Sequence, residues 1–262
     1  MSVRHNKSAF AKSFSYLPPW VCGYCRKATL VQEPDGITEI EWESSRVARG
    51  SDEWEPDWIE RSFVAFLSCP ECHSGTIVSG KVEHDFHHHF SPEVTDYYIP
   101  QSFTIAPSAI STTVKLPDEV DDKLQPIFRH LWNDPEACGG AVRRCVEAIL
   151  DQQKVRKTTI VDGKRKSIPT HHRIEHHMPA KLSEAKPHLM ALKWIGNNSA
   201  HNSKKHHTRE ELLEACEQLD EALSLIYGIN EKKNLQKEAE RISARKGKPK
   251  PTPKRRSRRR RL

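Results

Sequence analysis

The chain has 262 residues, of which 36% are hydrophobic and 7% aromatic, a composition that supports two modest cores and a tail better than one large core. No apolar run reaches the roughly 18 residues of a membrane span, and the N-terminus "MSVRHNKSAFAKSFSYLPPW" lacks the apolar stretch of a secretion signal. A cytoplasmic location without a membrane partner is expected. The formal charge of +7 is concentrated at one end: Arg245 to Leu262 carries 11 Lys and Arg and no acid, which leaves residues 1–244 at −4 by count.

Residues 1–105 read as β and loop, with strand-like runs at "ITEIEW", "SFVAFLS", "TIVSGKV" and "DYYIPQSFTI". An acidic, Trp-containing insertion is expected over about 33–61. Two C-x-x-C units, "VCGYC" and "SCPEC", place Cys22, Cys25, Cys69 and Cys72 as ligands of one structural zinc ion. Two residues between the sulfurs let the backbone turn back on itself, and four thiolates leave no coordination position open, so the metal should fold the domain and not catalyse. The 43 residues between Cys25 and Cys69 are attributed to the insertion.

Residues 106–117, "APSAISTTVKLP", mix Pro, Ser and Thr without periodicity and are expected as a linker. Beyond them the apolar period becomes helical. Val120, Leu124, Ile127, Phe128 and Leu131 share one face of a first helix that Pro126 must kink or break. Asp134 and Pro135 read as the N-cap and first residue of a second, and Gly139 and Gly140 within it suggest close approach of another backbone. Cys138, Cys145 and Cys216 fall on apolar stripes and read as packing residues.

The next segment, "KVRKTTIVDGKRKSIPTHHRIEHH", reads as a basic loop too polar to pack. Its histidines, like His84, His87, His88 and His89, read as solvated side chains; spacing alone gives them no fixed metal geometry. "LSEAKPHLMALKWIGNNSAHN" supplies a third helix, and a fourth begins at a capping box formed by Thr208 and Glu211. The fold class is therefore α+β: a β-rich, zinc-ribbon-like domain, then a four-helix unit over 118–228, then a polar helix and disordered basic tail over 229–262. Lys254, Arg255, Arg256, Arg258, Arg259, Arg260 and Arg261 in that tail are expected to attract RNA or DNA.

On the third helix Lys193, Asn197 and His201 recur every four residues and share a face. A cation, an amide and an imidazole in that order suit acid–base chemistry on a ribose hydroxyl or phosphodiester, with His201 as the acid or base. They equally suit helix packing, with Gly196 admitting a neighbour and Asn197 and His201 hydrogen-bonded inside. Both readings stay open on the residues alone.

The stretch from about Lys115 to Gly228 resembles the domain of unknown function 4145 family. The resemblance rests on Pro135, Ala137, Arg143, Arg144, Val146 and Glu147 in one motif and on Gly196, Asn197, Ala200 and His201 in a "GN-x-x-AH" motif. That family is similar to the HEPN superfamily of helical bundles, which implies a homodimer through the helices, a place in prokaryotic defence, and in some members metal-independent ribonuclease activity. The superfamily's Arg, expected with four to six residues between it and the His, is absent: Trp194, Ile195 and Gly196 occupy those positions. The leading expectation is therefore a nucleic-acid-associated module without catalysis. A ribonuclease using His201, Asn197 and Lys193 is the second, and a protein-binding adaptor the third.

Overall fold

The structure, a computed structural model, describes residues 7–55, 58–86, 94–200 and 207–244. Three expectations lie outside them: His201 as a catalytic residue, His87 to His89, and the basic tail that includes Lys254 to Arg261.

Four antiparallel strands form a meander in the order β1 (Val31–Glu41), β2 (Arg61–Ser68), β3 (Gly75–Phe86) and β4 (Val94–Phe103). Strict alternation sorts the side chains: Phe63, Ala65 and Leu67 on β2 and Thr76, Val78 and Val82 on β3 face the core, while Phe66, Ile77 and Lys81 face outward. The runs "SFVAFLS" and "TIVSGKV" lie wholly within β2 and β3, while "ITEIEW" overruns β1 by Trp42 and "DYYIPQSFTI" overruns β4 by Thr104 and Ile105. The acidic stretch remains paired sheet through Glu41, and the excursion proper is 42–60. It holds a short helix, α1 (Glu43–Ala48), and is closed at its base by the Trp42 amide bonding the Glu60 carbonyl at 2.9 Å.

The helical part contains six α-helical segments among the described residues instead of the four expected. They are α2 (Asp118–Asp121), α3 (Leu124–Asn133), α4 (Pro135–Gln152), α5 (Thr170–His172), α6 (Lys186–Ala200) and α7 (Arg209–Ala244). The first expected helix is divided because proline cannot supply an amide to a helix interior; the break falls at 122–123, which places Pro126 in the first turn of α3, where no intrahelical bond is lost. Asp134 caps α4 by accepting the Ala137 amide at 2.9 Å. Thr208 and Glu211 exchange the two bonds of a capping box, at 2.9 and 3.2 Å. α4 packs against both α3 and α6, and α6 against α7.

The basic segment after α4 is folded, contrary to the expectation of a loop. β5 (Thr158–Val161) and β6 (Lys164–Ser167) form a hairpin, followed by α5, a π-helical turn at Arg173–His177 and a 3₁₀ turn at Ala180–Ala185. Asp162 and Gly163 both have positive φ, 53° and 71°, which is the turn that matches strand twist in a two-residue hairpin.

Sheet and helices share one core. Residues 106–117, expected as a linker, pass through it: Ala106, Ser108, Ala109 and Ile110 are buried. Their backbone is satisfied internally, because Asp220 of α7 accepts the amides of Ser111 and Thr112 at 2.9 and 2.8 Å. At the seam Trp132 of α3 meets Phe10, Trp20 and Phe103 with ring centroids 5.5, 5.6 and 4.9 Å away. Arg209 at the start of α7 donates to the carbonyls of Leu131 and Trp132 and lies over the Trp132 ring.

Candidate metal centre and a cationic helix crossing

The two C-x-x-C units come together. The sulfurs of Cys22, Cys25, Cys69 and Cys72 all lie within 4.8 Å of one another, with Cys22 to Cys72 at 3.8 Å and Cys25 to Cys69 at 3.6 Å. A tetrahedral ion with bonds of about 2.3 Å to sulfur requires sulfurs about 3.8 Å apart, whereas a disulfide requires about 2.05 Å. The four residues therefore fit one metal ion.

The local fold explains the fit. The first turn sits in a small loop closed by a Val21–Thr29 bridge, and the second is the connection between β2 and β3. In each, the residue after the second cysteine takes a left-handed conformation, Arg26 at φ 58° and His73 at φ 58°, and returns its amide to the first cysteine's carbonyl, at 3.0 and 2.9 Å. Amides of Tyr24 and Cys25 face the Cys22 sulfur, that of Lys27 faces Cys25 and that of Ser74 faces Cys72. As thiols three of them differ: burial pushes Cys22 up to about 12 and raises Cys25, while at Cys72 burial is overcome by Ser74, Cys69 and Cys25, which bring it down to about 6.

The first turn is also fastened to the helices. The Gln125 side chain of α3 donates to the Gly23 carbonyl at 2.8 Å and accepts the Ala106 amide at 3.2 Å. Arg26 pairs with Asp121 of α2 at 2.8 Å. Gly23 is required here, since a Cβ would stand 1.8 Å from the Ala106 carbonyl oxygen. The remaining cysteines are packing residues: Cys138, Cys145 and Cys216 are fully buried, and burial pushes the first two up to about 12 and the third well above its ordinary value.

The polar stripe of α6 lies where that helix crosses α4. A Cβ on Gly196 would meet Arg143 Cβ at 2.5 Å and the Gly139 carbonyl at 3.0 Å, so these glycines set the spacing of the two helices. Arg143 is thereby brought to the position along α6 where the sequence lacks an arginine, and it forms a 3.1 Å ion pair with Glu147 one turn away on α4. Thr170 donates to the same carboxylate oxygen at 3.3 Å. Lys193 is 4% exposed, with its ammonium 3.1 Å from the centroid of the Trp194 ring. Among the described residues no carboxylate reaches it, and burial, then Arg143, lowers its pKa. His171 is likewise held below its ordinary value by burial, by His172 and by Lys193. Asn197 is half-buried one turn beyond Lys193.

Sequence reasoning did not anticipate His171 or Thr170 at this crossing; the loop reading of their segment concealed them. Nor did it find a second polar cluster at one end of the sheet. There Arg61 donates to both oxygens of Asp96 at 2.9 Å and pairs with Glu39, while His84 meets Asp96 at 2.5 Å and the Tyr98 hydroxyl donates to Glu39 at 2.9 Å. Its members lie on all four strands of the sheet, and only strand register aligns them. No helix among the described residues is long and apolar enough to cross a membrane.

Comparison with known families divides the chain at the same seam. Residues 125–245 match a family described as a domain of unknown function (DUF4145), and residues 9–103 match a second such family, DUF8608. No curated protein and no solved structure matches.

Proposed function

We propose that this chain is a nucleic-acid-associated module in which one structural zinc ion cross-links the N-terminal loop to a zinc-ribbon-like sheet beside a HEPN-like helical unit, and the α4–α6 crossing receives phosphate. Zinc is the ion best suited to four thiolates at tetrahedral spacing, and it would be held by Cys22, Cys25, Cys69 and Cys72. When bound it supplies a fixed cross-link, with no coordination position for substrate.

The observation that carries the phosphate reading is the state of Lys193. A lysine only 4% exposed, whose ammonium has Arg143 as neighbour, the Trp194 ring as its one compensating contact and no carboxylate within reach among the described residues, is a cost to the fold. A bound anion would remove that cost, and phosphate is the anion the resemblance and the basic tail both favour. The test is fluorescence anisotropy of single-stranded RNA and duplex DNA with the intact protein at graded salt, beside Lys193→Met. Weaker binding by the variant is expected; no binding by wild type even at low salt would sink the proposal.

A second reading, ribonuclease, is favoured by the placement of Arg143. Its Cα and Cβ lie against Gly196, in the stretch of α6 where the superfamily's own arginine is missing, and a guanidinium released from Glu147 would grip phosphate in two points where an ammonium cannot. His201 would take the proton of a ribose 2'-hydroxyl as its oxygen attacks phosphorus and the 5'-oxygen leaves. Incubation of end-labelled RNA in EDTA beside His201→Ala decides it: cleavage that survives the substitution removes His201 from the chemistry.

A further inference from the structure

We propose that the β5–β6 hairpin is a two-stranded ribbon that enters the major groove of duplex DNA. The inference rests on the association with nucleic acid proposed above and names the part of the chain that makes the contact. Between Lys154 and Lys166 the segment carries Lys154, Arg156, Lys157, Lys164, Arg165 and Lys166 against a single acid, Asp162.

Register distributes these charges over both faces. Ile160 stands opposite Arg165, and two residues away Thr158 stands opposite Ser167; these make one face. Thr159 opposite Lys166 and Val161 opposite Lys164 make the other. A ribbon about 10 Å thick with cations on both faces suits a groove about 12 Å wide with a phosphate strand on each wall. Every residue of β6 is exposed, and so are Ile160 and Val161, at 73% and 39%. An exposed isoleucine on a basic ribbon has an apolar partner in such a groove, the thymine methyl. Duplex RNA offers no equivalent, because its major groove is too deep and narrow for side chains to enter.

The arm is also held rigidly at its base. α4 ends with Lys154 in a left-handed conformation, φ 57°; its amide bonds the Asp151 carbonyl and that of Val155 bonds Leu150, which turns the chain sharply into β5. Arg173, 5% exposed, fixes that turn: it pairs with Asp151 at 2.7 Å and donates to the carbonyls of Val155 at 3.0 Å and Arg156 at 3.2 Å. Val155 and Ile168 are buried on the two sides of the base, and the Ile168 amide bonds the Lys157 carbonyl at 2.8 Å. A buried guanidinium that fixes the base of an otherwise solvated arm keeps its direction constant, which lowers the ordering cost of binding. Lys157 and Lys166 have partners in Asp151 and Asp162, whereas Lys154, Lys164 and Arg165 have no ion pair among the described residues.

The test is anisotropy of the full chain with a duplex DNA, a duplex RNA and a single-stranded DNA of the same sequence, each titrated with KCl. Wild type is compared with Lys164→Ala/Arg165→Ala/Lys166→Ala, whose melting temperature should match wild type because β6 touches no core. Loss of up to three phosphate contacts should flatten the log–log salt slope on duplex DNA by about 2 to 3, at about 0.9 per contact, with a smaller change on duplex RNA. If the triple variant melts early, Arg165→Glu alone replaces it, with an expected flattening of about 1. An unchanged slope on duplex DNA that wild type binds overturns the ribbon and leaves the proposed function standing. Equal losses on duplex DNA and RNA overturn groove entry. Failure of wild type on all three probes removes both proposals together.

Discussion

Among the described residues, only Trp20 and Phe63 of the twelve largest fully buried side chains belong to the sheet part; the others, from Ile110 to Leu192, line the connecting segment and the helices. The helical part is therefore held by apolar burial, worth about 25 cal/mol for each Å² removed from water. The sheet exposes one whole face, with Phe66, Ile77 and Ile40 in solvent, and has too few buried side chains to be held that way. The metal ion proposed for the four cysteines, two of them in the β2–β3 turn, would supply the missing constraint. The difference teaches where each half is vulnerable: the helices to cavities and crowding, the sheet to loss of a ligand.

The sharpest way to break the comparison is Cys69→Ser. Metal content by elemental analysis should fall from one ion per chain to none. Because structural zinc contributes on the order of 10 kcal/mol to small folds, the sheet should lose its ordered signal in circular dichroism. Since Gln125 and Arg26 fasten the first cysteine turn to α3 and α2, the helices should melt early as well; an unchanged helical transition would show the halves to be independent.

Trp132→Ala acts from the other side of the seam. Removing a ring that touches Phe10, Trp20 and Phe103 should cost about 3 to 5 kcal/mol and split one calorimetric transition into two. Gly196→Ala should cost about 1 to 3 kcal/mol, since Arg143 and the Gly139 carbonyl must withdraw, with the metal content unaffected.

The smallest effect is expected at Lys193. A lysine whose folded pKa is depressed binds fewer protons folded than unfolded, so stability rises with pH across the window that closes near the ordinary lysine value of about 10.4. Lys193→Met should flatten that rise in thermal melts from pH 8 to 10.5, and a rise of wild-type steepness in the variant would acquit the lysine.

What the sequence disclosed and what it hid divide along physical lines. Cysteine spacing, the Asp134 and Thr208 caps and the alternation of β2 are local patterns, so the residues announce them before any fold is known. The hairpin is equally local: Asp162–Gly163 between "TTIV" and "KRKS" is a strong turn signal that the charge of the segment obscures. Residues 106–117 could not be read as buried, because their polar backbone is satisfied by Asp220, more than 100 positions away. The gathering of Arg143, Lys193 and His171 depends on how α4 crosses α6, and Gly196 hints at that crossing without giving its direction.

Trp20 lies two residues before Cys22 and stands edge-on to Trp132, with centroids 5.6 Å apart and planes at 84°. Two indoles so close and so oriented have coupled electronic transitions, visible in near-ultraviolet circular dichroism. One ring rides on the loop of the first cysteine pair and the other on a helix. The chain thus carries its own optical gauge, by which titration with a chelator can be followed on the unlabelled protein.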